Sequence, residues 1–220
     1  VFDLTLTFDN GPEPDVTPRV LDILRERGIK TTFFVIGRKL DDPARRRLAS
    51  RARDEGHWIG NHTYTHSLPL GQQHDPACAE HEIGRTQALI GDLAHKKRWF
   101  RPFGGGGNLD DRLLKPSIVS YLARDQYSCV LWNAIPRDWD DPHGWVNRAL
   151  DQCRAQEWTL MVLHDLPTGA MDRLEEFLDA ADKAGARFRQ DFPPACVPIS
   201  AGTIVRPIDA YVSTIEESIR

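Results

Sequence analysis

Long apolar runs are missing from this chain. No stretch of its 220 residues approaches the roughly 20 consecutive apolar residues needed to cross a bilayer. An excess of one charge is missing too: 28 basic residues face 32 acidic ones, for a net charge of −4. With no basic excess and no polybasic run, the composition excludes a nucleic-acid or membrane-surface partner as the expectation. Cysteine is scarce. The four are Cys78, Cys129, Cys153 and Cys196, and none forms a Cys-x-x-Cys pair, which sets aside a zinc ribbon. Cys129 lies in an apolar run and Cys153 on an apolar helix face, as reduced core cysteines do. That leans toward a reducing, cytoplasmic setting, although an even count leaves disulfides open. No signal-peptide pattern is present. The chain opens in a strand without Met, so a leader removed or left out stays an open alternative. Repeats and low-complexity linkers are absent as well.

What is present is an ordinary globular composition, 40% hydrophobic and 27% charged, with enough chain for a sizeable core. Strand-like and helix-like patterns alternate throughout. Val1 to Phe8 alternates as a buried strand. Thr17-Pro18 reads as an N-cap followed by proline at the first helical position, and Gly28 ends that helix. Lys30 to Ile36 is β-branched and aromatic, hence a strand. A helix follows from Asp42-Pro43 to Gly56, then a short strand from His57 to Asn61 and a loop from His62 to Gly71. Cys78 to Leu93 is expected to be helical, Arg98 to Pro102 a strand, and Leu109 to Ala123 a helix interrupted at Pro116. Tyr127 to Trp132 is a strand, Asp141-Pro142 opens a helix to about Arg154, and Trp158 to Leu163 is a strongly apolar strand. A helix from Met171 to Ala184 follows. The end carries a strand signal, Thr203 to Val205, and a last helix, Tyr211 to Ile219. Repeated βα units with short connections predict a parallel α/β fold, either barrel or open sheet.

The chemistry-bearing residues sit at the strand ends: Asp9 and Asn10, His62, Arg101 and His164. In a barrel such ends share one rim. His62 and His66, four apart, would face one way on a helical turn and reach one ion. A metal held by two imidazoles wants a third, oxygen ligand, and Asn10 offers its amide carbonyl. Such a metal makes water acidic enough to yield hydroxide near neutral pH. Asp9 is placed as the general base, Arg101 as the cation that keeps it ionised, and His164 as the acid that protonates a leaving amine. Trp132, Trp139 and Trp145 are candidate platforms for a sugar ring, Trp139 foremost.

These segments resemble the polysaccharide deacetylase family, the NodB-homology group of carbohydrate esterases (family 4). The resemblance is carried by Leu6 to Pro12 (LTFDNGP), Thr17 to Val35, and Glu55 to His66 (EGHWIGNHTYTH). Arg101-Pro102, Arg137-Asp138-Trp139 and Leu163-His164-Asp165 then follow in family order. It implies a distorted, TIM-like (β/α) barrel of seven strands. The chain then reads as a single catalytic domain over 1–220, with 201–220 as a C-terminal extension. The resemblance further implies metal-dependent removal of N-acetyl groups from an amino-sugar polymer or oligomer, using a divalent transition metal, zinc first. Asp9 would be the base, His62 and His66 metal ligands, and His164 the acid. On the substrate side it implies Gly104, whose N–H would help an oxyanion, and Asp138 with Trp139.

Three positions depart from the family pattern. Asn10 stands where the family has a second, metal-binding aspartate, and a neutral amide is the weaker donor. Gly104 stands where the family has tyrosine. Ile135 stands where an aspartate supports the catalytic histidine, leaving Asp138 and Asp165 as alternatives for that role. These departures keep two other readings open: a non-catalytic carbohydrate-binding protein on the same scaffold, and a metal-independent hydrolase of small amides.

Overall fold

The computed structural model describes residues 1–214. In chain order the elements are β1 (Phe2–Asp9), α1 (Thr17–Glu26), β2 (Thr32–Val35), α2 (Pro43–Asp54), β3 (Trp58–Asn61), α3 (Arg85–Ile90) and β4 (Trp99–Phe100). They continue with α4 (Pro116–Arg124), β5 (Ser128–Cys129), α5 (Trp145–Arg154), β6 (Trp158–His164), α6 (Leu174–Lys183), β7 (Ala186–Arg189), β8 (Ile199–Ser200) and β9 (Thr203–Ile204).

The sheet runs β6-β1-β2-β3-β4-β5-β8-β9, with β7 paired to β1. Strands β1 to β7 pair in parallel, and β8 and β9 add an antiparallel hairpin beside β5. The sheet curls on itself. Beyond β5, Ala134 bridges in parallel to Met161 of β6 and so joins the two ends of the parallel order. This is the distorted (β/α) barrel expected from the sequence.

Strand β1 explains how the barrel aims its chemistry. Side chains alternate across a strand. Leu4, Leu6 and Phe8 go outward into a core shared with Val20 and Leu24 of α1, Trp145 of α5 and Phe177 of α6. Thr7 and Asp9 point inward, where Arg101 reaches both. Each large apolar side chain buried in the outer layer is worth about 1.5–3 kcal/mol, so a one-residue register slip would forfeit that layer and turn Asp9 away from the interior.

Several elements differ from the sequence reading. Helix α4 starts at Pro116 rather than being interrupted there, because a proline at the first helical turn lacks only an N–H that would be unpaired anyway. The helix expected from Cys78 begins as a wider, π-helical turn, Ala79–Gly84, that runs into α3. Of the last expected helix, Tyr211 closes a short 3₁₀ turn and Val212 is already extended. Its remainder, 215–219, lies outside the described residues.

Candidate active site

Asp9 ends β1 and is buried. Its Oδ1 accepts from Arg101 Nη1 at 2.8 Å, and Oδ2 lies 3.5 Å from His62 Nε2. Arg101 has no exposed surface. It also donates to Thr7 Oγ1 and to the carbonyls of Val130 and Leu131, and its guanidinium carbon sits 4.1 Å from the centroid of the Phe34 ring. Four oxygen partners and an aromatic face fix the guanidinium, and through it one oxygen of Asp9.

His62 and His66 come together, with ring centroids 4.7 Å apart, but not on a helical turn. Thr63 and His66 adopt left-handed backbone at φ 63° and 51°, so a tight loop, rather than i, i+4 helical spacing, juxtaposes the imidazoles. The backbone oxygen of Arg101 lies 2.8 Å from His62 Nδ1. A carbonyl can only accept, so the proton is on Nδ1 and the Nε2 lone pair is free. Burial drives the His62 pKa down to about 3. Burial, then the neighbouring His62, drives His66 down to about 2. Both rings are therefore neutral.

Asn10 follows Asp9 at φ 74°, a conformation asparagine tolerates better than most side chains. Its Oδ1 is buried without a hydrogen-bond partner, an unusual state for an amide oxygen. Among the described residues no group of three or more His, Cys, Asp or Glu is arranged to hold a metal ion; beside the two imidazoles, this amide oxygen is the candidate for a third donor. An unpartnered oxygen and neutral imidazoles fit the demands of a divalent transition metal.

Across the same cavity stands His164, at the end of β6. Asp138 Oδ1 accepts from its Nδ1 at 2.8 Å, and Asp138 Oδ2 accepts from its backbone N–H at 2.8 Å. Burial alone would push the His164 pKa down; the Asp138 carboxylate, then Asp9 and Asp165, reverse this and hold it above the ordinary value. Asp138, expected on the substrate side, is wholly buried and does not line the cavity. It supplies the anion for His164 that the sequence reading saw as lost at Ile135. Asp165 points elsewhere, to Thr17, whose hydroxyl donates to Oδ2. Thr17 is thus not an N-cap but the first residue of α1, with Val16 at the cap position. Burial raises the Asp165 carboxyl to about 7.

The cavity holds about 200 Å3 and is lined by Asp9, Asn10, His62, His66, His164 and Trp139 among others. Gly104, Trp132 and Ile135 also form part of its wall. A Cβ on Gly104 would collide with the Trp132 ring, lying 2.7 Å from Cζ2 and nearer still to Cη2. The indole occupies the volume where a larger residue at 104 would begin. Likewise Ile135 packs on Gly107, leaving only 2.7 Å between its Cδ1 and a Cβ there. Positions 104 and 135 read as losses from sequence; their packing partners, Trp132 and Gly107, lie 28 residues away, one later and one earlier in the chain, and carry no local signal. Trp145 is core, its Nε1 donating to the Ala170 carbonyl. All four cysteines are buried and free, and no described helix is long and apolar enough to cross a membrane.

Parallel strands deliver a pinned carboxylate and a pinned histidine to one cavity at their carboxyl ends, the face where α/β barrels carry their active sites. Residues 3–116 match the Polysaccharide deacetylase family, and the chain belongs to it. It is 31% identical over 196 residues to a peptidoglycan-N-acetylglucosamine deacetylase of Bacillus cereus, covering 84% of each chain. It is 35% identical over 171 residues to a chitooligosaccharide deacetylase of Rhizobium leguminosarum bv. phaseoli, covering 74% of this chain and 67% of that one. A solved peptidoglycan N-acetylglucosamine deacetylase, in complex with an N-oxidanyl-benzamide, superposes with a TM-score of 0.73 at 25% identity. That match covers 90% of this chain and 89% of the other.

Proposed function

We propose that this chain hydrolyses N-acetyl groups from an amino-sugar polymer or oligomer, with a divalent transition metal, zinc first, held by Asn10, His62 and His66. The observation that carries this reading is the opposition of Asp9 and His164 across one cavity, each fixed by a buried partner of opposite charge. When bound, the metal would supply Lewis acidity that activates water and polarises the amide carbonyl. Asp9 has one oxygen committed to Arg101, so Oδ2 is the atom that takes the proton from the attacking water. His164 holds a proton on Nδ1 against Asp138; its Nε2 proton goes to the departing amine nitrogen as the C–N bond breaks. Acetate and a free amino sugar result. The Gly104 N–H is the candidate donor to the oxyanion. Trp139, which lines the cavity edge-on to His164 at 4.8 Å, is the candidate to stack on a sugar ring.

The test is acetate release from N-acetylglucosamine oligomers by the zinc-loaded and the chelated protein. Release that needs zinc and disappears in Asp9→Asn is the expected result. Oligomer binding without any release would make the chain a carbohydrate-binding relative. Turnover indifferent to chelation, on oligomers or small amides, would remove the metal from the reaction.

A further inference from the structure

The two histidines sit on a loop whose backbone has to be held against its own preference. Thr63 and His66 are β-branched or bulky residues at positive φ, a conformation that costs of order 1–3 kcal/mol each and persists only where the surroundings impose it. The Gly37 and Arg38 N–H groups hold the carbonyls of Thr63 and Tyr64, and one buried side chain holds the N–H groups of Tyr64 and Thr65. Glu82 Oε2 accepts from the backbone N–H of Tyr64 and of Thr65, each at 2.9 Å. Its Oε1 accepts from the Thr65 hydroxyl at 2.5 Å. Glu82 itself lies on the π-helical turn Ala79–Gly84, whose neighbouring Ile83 carbonyl accepts from the Asn61 amide at 2.9 Å. Asn61 Oδ1 in turn accepts from the Thr63 N–H at 3.1 Å. π-Helical turns recur at functional sites, and here the turn presents a carboxylate that ties the backbone of Tyr64 and Thr65, two of the three residues between the histidines.

We propose that Glu82 is a positioning residue for the two-histidine cradle, fixing the spacing of His62 and His66 through the Tyr64 and Thr65 backbone. This rests on the reading of those histidines as metal ligands given above. Glu82 touches neither imidazole. It acts by hydrogen bonds, so a neutral isostere should keep the function. Glutamine retains an oxygen for the two N–H groups, and its amide can donate to the Thr65 hydroxyl. Alanine leaves the two part-buried N–H groups of Tyr64 and Thr65 without that partner.

The test compares wild type, Glu82→Gln, Glu82→Ala and Thr65→Val by zinc titration calorimetry and by amide hydrogen exchange of the zinc-free protein. Removing a group that orients metal ligands typically costs about 10- to 100-fold in metal affinity; that loss is expected for Glu82→Ala. Glu82→Gln should stay within about 3-fold of wild type, and Thr65→Val should fall between. Exchange at Tyr64 and Thr65 should accelerate in Glu82→Ala while the amides of β3 stay protected. Unchanged zinc affinity or unchanged exchange in Glu82→Ala overturns the proposal. Should that variant not fold, Thr65→Val and Glu82→Gln decide it: a full loss of affinity in the glutamine variant, or none in the valine variant, overturns it. Wild type that binds no zinc would sink the metal reading instead, while the exchange data would still report whether Glu82 holds the loop.

Discussion

Asp138 grips His164 twice, one carboxylate oxygen on the ring Nδ1 and the other on the backbone N–H, both at 2.8 Å. The double grip sets the ring's tautomer, its orientation and its proton affinity together. It predicts a specific change in Asp138→Asn. A general acid must be protonated, so activity falls as pH rises through the His164 pKa, which Asp138 holds above the ordinary 6.5. Without that charge burial prevails and the pKa drops, so the alkaline limb of the kcat/KM profile moves to lower pH. Activity at neutral pH should fall by about 100- to 10,000-fold, the usual worth of a general acid. The pair's contribution to stability has the same sign: fully present below pH 6.5, lost as pH rises through the folded value. An unmoved alkaline limb would show that His164 is not the titrating acid.

Arg101 is expected to be irreplaceable by lysine. Its fork serves Asp9, Thr7 and two backbone carbonyls at once, with no exposed surface. Breaking a buried ion pair by removing one partner costs about 3–5 kcal/mol, and Arg101→Ala should lose that in urea unfolding. Arg101→Lys keeps the charge but not the geometry, and should recover only part of it while leaving Asp9 mispositioned and activity low. Full recovery by lysine would reduce Arg101 to a point charge.

Asn10→Asp tests the third donor directly. Aspartate tolerates the left-handed backbone at position 10 as asparagine does. The change turns an unpartnered amide oxygen into a carboxylate, a stronger donor for a divalent ion. Zinc affinity by calorimetry should rise by at least about 10-fold, or 1.4 kcal/mol. No gain would mean that position 10 does not reach the ion.

How far these relationships were legible depends on the range of the interaction. Strand β1 is readable because its alternation of Leu4, Leu6 and Phe8 with Thr5, Thr7 and Asp9 is local, and that alternation alone points Asp9 inward. The His62 and His66 pairing is readable, but not its loop, whose positive-φ residues are a threonine and a histidine rather than glycine. Strand β7 is hidden because two of its four residues are arginines, Arg187 and Arg189, which pair with Asp3 at the start of β1 instead of entering a core. Asp138 is visible as a motif residue, yet its partner is 26 positions away and only the closed barrel brings them together. Trp132 and Gly104 are likewise a tertiary pair.

That last pair makes a coupling prediction. Gly104→Ala forces its new methyl into the Trp132 ring and should cost about 1–3 kcal/mol, as overpacking does. Trp132→Leu alone leaves a void and is destabilising too. Combined, the two changes should relieve each other, giving a coupling energy of at least about 0.5 kcal/mol in a double-mutant cycle read by urea unfolding. Strict additivity would mean that the glycine and the indole do not share the space.

Acid sensitivity follows from histidines buried neutral. Burial, then Lys30, lowers His57 to about 4, and His57 lies outside the active-site cavity, its Nδ1 accepting from the Thr31 N–H at 3.1 Å. An unfolded chain protonates this ring below pH 6.5 while the folded chain does not, so stability falls with pH from 6.5 down to about 4. Each such histidine contributes a slope of about 1.4 kcal/mol per pH unit across its window. His57→Gln retains an oxygen to accept the Thr31 N–H and does not titrate. Urea unfolding of the zinc-free protein between pH 6.5 and 5 should therefore show a slope shallower by about one proton in the variant than in wild type. Equal slopes would mean that His57 is protonated in the folded protein, and that burial does not control its charge.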